Sequence, residues 1–310
     1  MTLFQPEIVL QKLKEKHEFK QAELSRLKLE EANIDEAIFI GCYLRGAIFS
    51  SLSSKKANFK NTNLSFAKIN QVDLEQANLE RTEFNSAVLS QVTLDDINGY
   101  KARFFGTKFN NIQAARANLT YADLREAVGE NIDFHSANFN QAFLTNTQFT
   151  QLNLSRATVT NCSWQKSKII NSSWLKANLQ NTNLSNSIVE QANFNDASLV
   201  NTKFVSASLN SVDFTAAELI ETNFNKAQLT AINFTGSILL SANLEGAELT
   251  DINLRDANLQ DANCEQTTWK NINFSNCNVS GAVFSQAQGL SGEQCQWLKK
   301  NGALNVPKID

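Results

Sequence analysis

The side chains able to do chemistry are few and scattered. The chain has 310 residues but only two histidines, His17 and His135, and five cysteines. General acid–base work needs a positioned proton carrier beside its partner, and a zinc centre needs ligands at short, fixed spacing. The sequence specifies no partner for either histidine. No CxxC pair occurs, and no histidine stands at ligand spacing from a cysteine. Phosphate-cradling, dinucleotide-binding, zincin, nucleophile-elbow and calcium-loop spacings are all missing. Acidic residues are plentiful, and one run stands out: Glu245, Glu248, Asp251, Asp256, Asp261 and Glu265 face Arg255 alone. This acidic collar reads as a solvated surface that aids solubility. The expectation is a chain with no catalytic site, no metal and no cofactor.

What positions these residues is a period of five. In SANLEGAELTDINLRDANLQDAN, Leu244, Leu249, Leu254 and Leu259 fall five apart, and Ala242, Ala247, Ile252 and Ala257 each precede one by two. A helix needs a period near 3.6 and a strand a period of 2. Counted from Leu24 to Phe284 the register holds without an insertion through 53 centres, of which only Ser54, Gly99, Ala114, Gly129 and Cys264 are not large and apolar. Two locked positions point inward and three polar ones point to water, with a corner after every five residues. Cys42, Cys162 and Cys277 occupy the small inward slot and Cys264 the large one, so they read as reduced core thiols. Cys295, outside the repeat, is expected to be exposed. Gly99 and Gly129 are expected to leave gaps.

A second period is superimposed. Branched aliphatics enter the small slot at Leu52, Val72, Val92, Ile112, Ile132 and Leu152, and again at Val212, Ile232, Ile252 and Ile272, all in a register of 20. Ser172 and Ala192 interrupt it. One face therefore differs from three others and recurs once per 20 residues.

The stretches ANFKN at 57–61, ADLRE at 122–126, ANFND at 192–196, ANLEG at 242–246 and ANLQD at 257–261 resemble the pentapeptide-repeat family, whose motif is A(D/N)LXX. The resemblance covers Ala22 to Gln286. It implies an all-β solenoid, a right-handed quadrilateral parallel β-helix of about 13 coils with short helical caps at both ends. Coils about 4.8 Å apart would make a rod of about 60 Å. Three segments follow: an N-terminal helical cap over 1–21, the repeat over 22–286, and a C-terminal helical cap and tail over 287–310. In the first, Val9, Leu10 and Leu13 form a short apolar face. In the last, Ser291 and Gln294 make a capping box, Gly302 ends a helix, and Leu290, Trp297 and Leu298 cover the final coil.

No apolar run is long enough to span a membrane, and the N-terminus has no secretory pattern, so a cytoplasmic protein is expected, and the resemblance implies a bacterial one. The resemblance implies function by protein–protein interaction, as a non-enzymatic rod or scaffold. Some members of the family mimic duplex DNA, bind DNA gyrase and protect it from quinolones. That alternative needs a strongly negative surface. Between Ala22 and Gln286 there are 21 basic and 26 acidic residues, too weak an excess for a duplex mimic. The small basic clusters at Lys55, Lys56, Lys60 and Lys68 and at Lys101, Arg103 and Lys108 are no long stripe, so no direct nucleic-acid contact is expected. The partner is expected to be another protein, with a homodimer through an end cap or an apolar patch as a further possibility. The candidate patch is Val200, Ile220 and Leu240, stacked 20 apart just after their buried centres, with Val205 and Ile238 beside them. Tyr100 and Phe105, beside Gly99, make a second, weaker candidate.

Overall fold

A computed structural model describes residues 5–308. The ends of the two expected cap segments, 1–4 and 309–310, lie outside the described residues. The chain is a parallel β-solenoid of about 13 turns with a short helix at each end, and it divides into two compact units, residues 1–158 and 159–310.

Each turn is built from four five-residue sides. The centre and the residue two before it are buried, the residues flanking the centre are mostly half-buried, and the next residue is exposed. At three corners the centre's carbonyl accepts from the amide three residues on, as Phe59 O does from Thr62 N at 2.9 Å. The residue closing the corner, here Asn61, has φ +57°. A positive φ at this place is that of a type II turn. The fourth corner lies inside a six-residue strand. In the first unit these strands are β4 (Ile48–Ser53), β5 (Lys68–Asp73), β6 (Val88–Thr93), β7 (Lys108–Gln113), β8 (Val128–Asp133) and β9 (Gln148–Asn153). The branched aliphatics at Leu52, Val72, Val92, Ile112, Ile132 and Leu152 sit at the fifth residue of these strands, where an extended backbone suits them. The 20-residue signal in the sequence is therefore the corner that lies within a strand, whose corner residue, such as Gln71 at φ +54°, is left-handed like the others.

The first unit also holds α1 (Pro6–Lys14), β1 (Phe19–Lys20), β2 (Lys28–Glu30) and β3 (Phe39–Ile40). Its strands pair in parallel with a register offset of 20, as in Ile48↔Lys68 and Lys108↔Val128, in the order β2-β4-β5-β6-β7-β8-β9, with β1 on β3. Like residues stack on like. Phe19, Phe39 and Phe59 lie with ring centroids 5.5 and 5.3 Å apart. Val9 of α1 is buried, with Leu10 and Leu13 half-buried.

The second unit holds β10 (Lys168–Ser173), β11 (Ile188–Asn193), β12 (Ser208–Asn210), β13 (Gln228–Asn233), β14 (Glu248–Asn253), β15 (Thr268–Asn273) and α2 (Gly292–Lys300), its strands paired in chain order. Trp174, Phe194, Phe214 and Phe234 form one aromatic column with centroids 5.2, 5.1 and 5.3 Å apart. Ser172 breaks the aliphatic period because the Trp174 indole donates to its hydroxyl at 2.9 Å. A buried indole N–H needs an acceptor. The α2 capping box forms as read from sequence, with both reciprocal bonds present. Gly302 has φ +85° just past the helix, and the chain then returns to bridge Leu304 to Val283, covering the last edge. Leu298 is buried, Leu290 is half-buried, and Trp297 stacks on Phe274 at 5.9 Å.

Two expectations are corrected here. Cys295 is not exposed; it packs on the inner side of α2 at 3% exposure. Gly99 and Gly129 do not leave gaps. A Cβ on Gly99 would stand 2.9 Å from Leu119 Cδ2, and one on Gly129 2.7 Å from the Phe109 carbonyl. Neighbouring side chains have closed in. What remains is an apolar void of about 10 Å³ whose lining includes Ala114, Phe104 and Phe109.

Candidate protein-contact surface

Among the described residues most inward-facing polar groups are spent on the backbone, the Ser54 hydroxyl being an exception. Thr82 Oγ1 donates to Phe59 O at 2.7 Å, Thr107 Oγ1 to Phe84 O at 2.7 Å and Thr202 Oγ1 to Leu179 O at 2.9 Å. The Asn or Asp just before each centre accepts from the amide two residues on, as Asn58 does from Lys60 at 3.1 Å. Many also bond up the stack, as Asn98 Nδ2 does to Asn78 Oδ1 at 3.3 Å. These are ladder rungs rather than poised reagents.

The titratable side chains follow the same logic. His135 gains a partner the sequence did not reveal: its Nδ1 lies 3.0 Å from Asp133 Oδ2. Asp133 also accepts from the His135 amide and from Asn153 Nδ2, which makes it another rung. His17 is exposed and meets the Phe19 ring edge-on at 4.9 Å. Burial raises the thiols of Cys42 and Cys264 and pushes Cys277 up to about 12, so these stay protonated and inert. Among the described residues no group of three or more His, Cys, Asp or Glu is placed to hold a metal ion.

Amide–carbonyl bonds run from Asn181 to Val200, from Asn201 to Ile220 and from Glu221 to Leu240, the stacking expected of a 20-residue turn. Val200, Val205, Ile220 and Leu240 are only half-buried rather than open, and Ile238 alone is exposed, at 38%. At these four positions the residue after the centre is more shielded than expected, whereas Asn70, Glu130 and Asn210 at the same place on other sides are exposed. In the acidic collar, Glu248, Asp251, Asp256 and Asp261 are exposed and Glu245 and Glu265 half-buried. Asp251 and Asp256 accept from Asn271 and Asn276, and Arg255 pairs with Asp256. Tyr100 and Phe105 are half-buried; Tyr100 meets Tyr121 edge-to-face at 5.7 Å.

Tyr121 belongs to a pattern that the five-residue reading missed. Six aromatic side chains of the repeat lie off the buried centres: Tyr43, Phe66, Tyr100, Phe105, Tyr121 and Phe143. All six fall on one face of the first unit and its two corners. A single ladder of bridges runs through that face, Tyr43–Asn63–Glu83–Arg103–Asp123–Phe143. Folding the sequence at 20 instead of five would have found it.

The description "Pentapeptide repeats (8 copies)" fits residues 18–50, 57–96, 130–163 and 177–215, and "Pentapeptide repeat region" fits 207–284, together more than half of the chain. The chain belongs to the pentapeptide-repeat family. No curated protein matches it in sequence. Among solved structures, a trypsin-treated form of QnrB1, a plasmid-mediated fluoroquinolone resistance protein, is 19% identical over 72% of this chain and 97% of its own, with TM-score 0.50. HetL of Nostoc sp. strain PCC 7120, a pentapeptide repeat protein involved in heterocyst differentiation regulation, is 17% identical over 91% and 97%, with TM-score 0.31. A pentapeptide repeat protein from the Arabidopsis thaliana thylakoid lumen is 28% identical over 36% and 74%, with TM-score 0.21. At 19% identity the likeness to QnrB1 speaks for the fold alone.

Proposed function

We propose that this pentapeptide-repeat protein is a non-catalytic scaffold that binds another protein. One observation carries the reading: Tyr43, Phe66, Tyr121 and Phe143 are between 36% and 54% exposed on a surface that is otherwise largely polar. Single exposed apolar residues are ordinary, but aromatics gathered on one face favour a protein interface. The ladder beneath them holds their backbone fixed, which lowers the ordering cost of binding. The DNA-mimicking reading is the weaker one, since the chain's net charge is only −3 and cations interleave this same face.

The test is affinity capture by the full chain from its source cells, with bound polypeptides identified and quantified. A polypeptide retained in fixed proportion to the bait is the expected result. Retention of no polypeptide above an unrelated control would overturn the scaffold reading. DNA gyrase supercoiling is expected to be unchanged by the purified protein, and inhibition would favour the mimic instead.

A further inference from the structure

The face bearing the six off-centre aromatics also carries a charge pattern. Three of its five acids are already engaged with cations: Glu80 with Lys60 at 2.8 Å, Glu83 with Arg103 at 3.4 Å and Asp123 with Arg125 at 2.7 Å. Two of its cations lie on rings instead. The Arg45 guanidinium carbon stands 4.4 Å from the Phe66 centroid, and Lys101 Nζ stands 5.1 and 5.5 Å from those of Tyr100 and Tyr121. Among the described residues neither Arg45 nor Lys101 forms an ion pair. A cation on a ring face keeps its charge and is held in place, ready for an incoming anion.

The backbone adds an independent observation. The corner residue after each centre takes φ near +55°, a region that bulky side chains rarely enter. Throughout the described repeat these corners hold polar residues, glycine or alanine, with two exceptions: Phe66 at φ +62° and Tyr121 at φ +58°. Both lie on this face, and both rings sit under its unpaired cations. Local conformation disfavours them, so their placement answers to something other than folding.

We infer that this face of the first unit, marked by Phe66 with Arg45 and by Tyr121 with Lys101, docks an acidic polypeptide segment that also carries apolar side chains. The inference rests on the protein-binding reading and names its surface and the chemistry of its partner. The rings supply apolar contact area, and the two free cations supply carboxylate recognition at separate places along the ladder. A nucleic acid fits less well. Its dense phosphates would call for a continuous basic stripe, whereas here the other cations are largely paired with acids that would repel it.

Random peptides displayed on phage are panned against the immobilised full chain, and the consensus peptide is then synthesised and its affinity measured. The expected selection is enriched in Asp and Glu together with large apolar residues. Its binding is expected to weaken about ten-fold for the double variant Arg45→Ala/Lys101→Ala, which touches no ion pair. A second variant, Phe66→Asn/Tyr121→Asn, suits the left-handed corners and is expected to weaken binding while melting no earlier than the parent. The inference is overturned by a basic consensus, by equal binding to both variants, by tighter binding of a labelled single-stranded DNA to this face, or by a dimer that the double variant dissolves. Should the full chain capture a cellular polypeptide that both folded variants retain equally, the scaffold reading stands and this inference falls.

Discussion

Phe109 and Phe149 belong to strands two turns apart, yet their ring centroids lie 6.5 Å from each other. Two turns of a parallel ladder span about 9.6 Å. The register reads Phe109↔Gly129↔Phe149, so the rings approach across a glycine that has no side chain to separate them. A Cβ there would stand 2.8 Å from both Phe109 Cβ and Ile132 Cδ1. Gly129→Ala is therefore expected to lower stability by about 1–3 kcal/mol through overpacking, read as an earlier midpoint in urea. Unchanged or raised stability would mean the site is an open gap after all.

Ser54 replaces a large apolar centre, and its hydroxyl is buried without a hydrogen-bond partner. Removing an unpaired buried polar atom takes away a desolvation cost of about 1–3 kcal/mol. Ser54→Ala is expected to raise the melting temperature. A fall would show that the hydroxyl is satisfied in solution.

Phe66 and Phe59 are seven residues apart but answer to different demands. Phe59 is a fully buried centre, while Phe66 is 49% exposed at a left-handed corner. Phe66→Asn is expected to leave the melting temperature unchanged or raise it, since the left-handed region costs an ordinary residue about 1–2 kcal/mol. Phe59→Asn is expected to unfold the first unit. Circular dichroism melts of the two variants give the comparison.

Acid should weaken the first unit through its paired carboxylates. Desolvation raises the Asp123 carboxyl, but its bonds to the Arg125 side chain and amide outweigh this and hold it below the usual value. Asp96 is held low by the Arg116 guanidinium. A folded pKa below the unfolded one gives stability that is fully present above the unfolded value. The contribution is thus expected to persist at neutral pH and to drain away as pH falls from the ordinary Asp value of 3.8 through the depressed folded values. Asp123→Asn should flatten that part of a stability–pH curve, and an unaltered curve would contradict the assignment.

The fold was legible because folding constrains it. Leu244, Leu249 and their equivalents must fill the interior, and the corner after each side repeats the demand. The depth of the flanking positions was not legible, since Val200 or Leu240 is shielded by coils 20 residues away rather than by sequence neighbours. The fate of Gly99 and Gly129 was hidden for the same reason: Leu119 and Phe109 move into the space from adjoining turns. The aromatic face escaped notice because Tyr43, Phe66, Tyr121 and Phe143 occupy positions the fold leaves free, where only the 20-residue register shows that they share a side.

The most direct measurement is site-specific photo-crosslinking in the source cells. A benzophenone amino acid replaces Phe143 on the aromatic face, and in a second strain it replaces Gln113, which is exposed on another side of the same unit. The expected result is a discrete polypeptide adduct from position 143, lost on Arg45→Ala/Lys101→Ala, and none from position 113. Equal adducts from both positions, or an adduct only from 113, would contradict the assignment of this face as the one that binds.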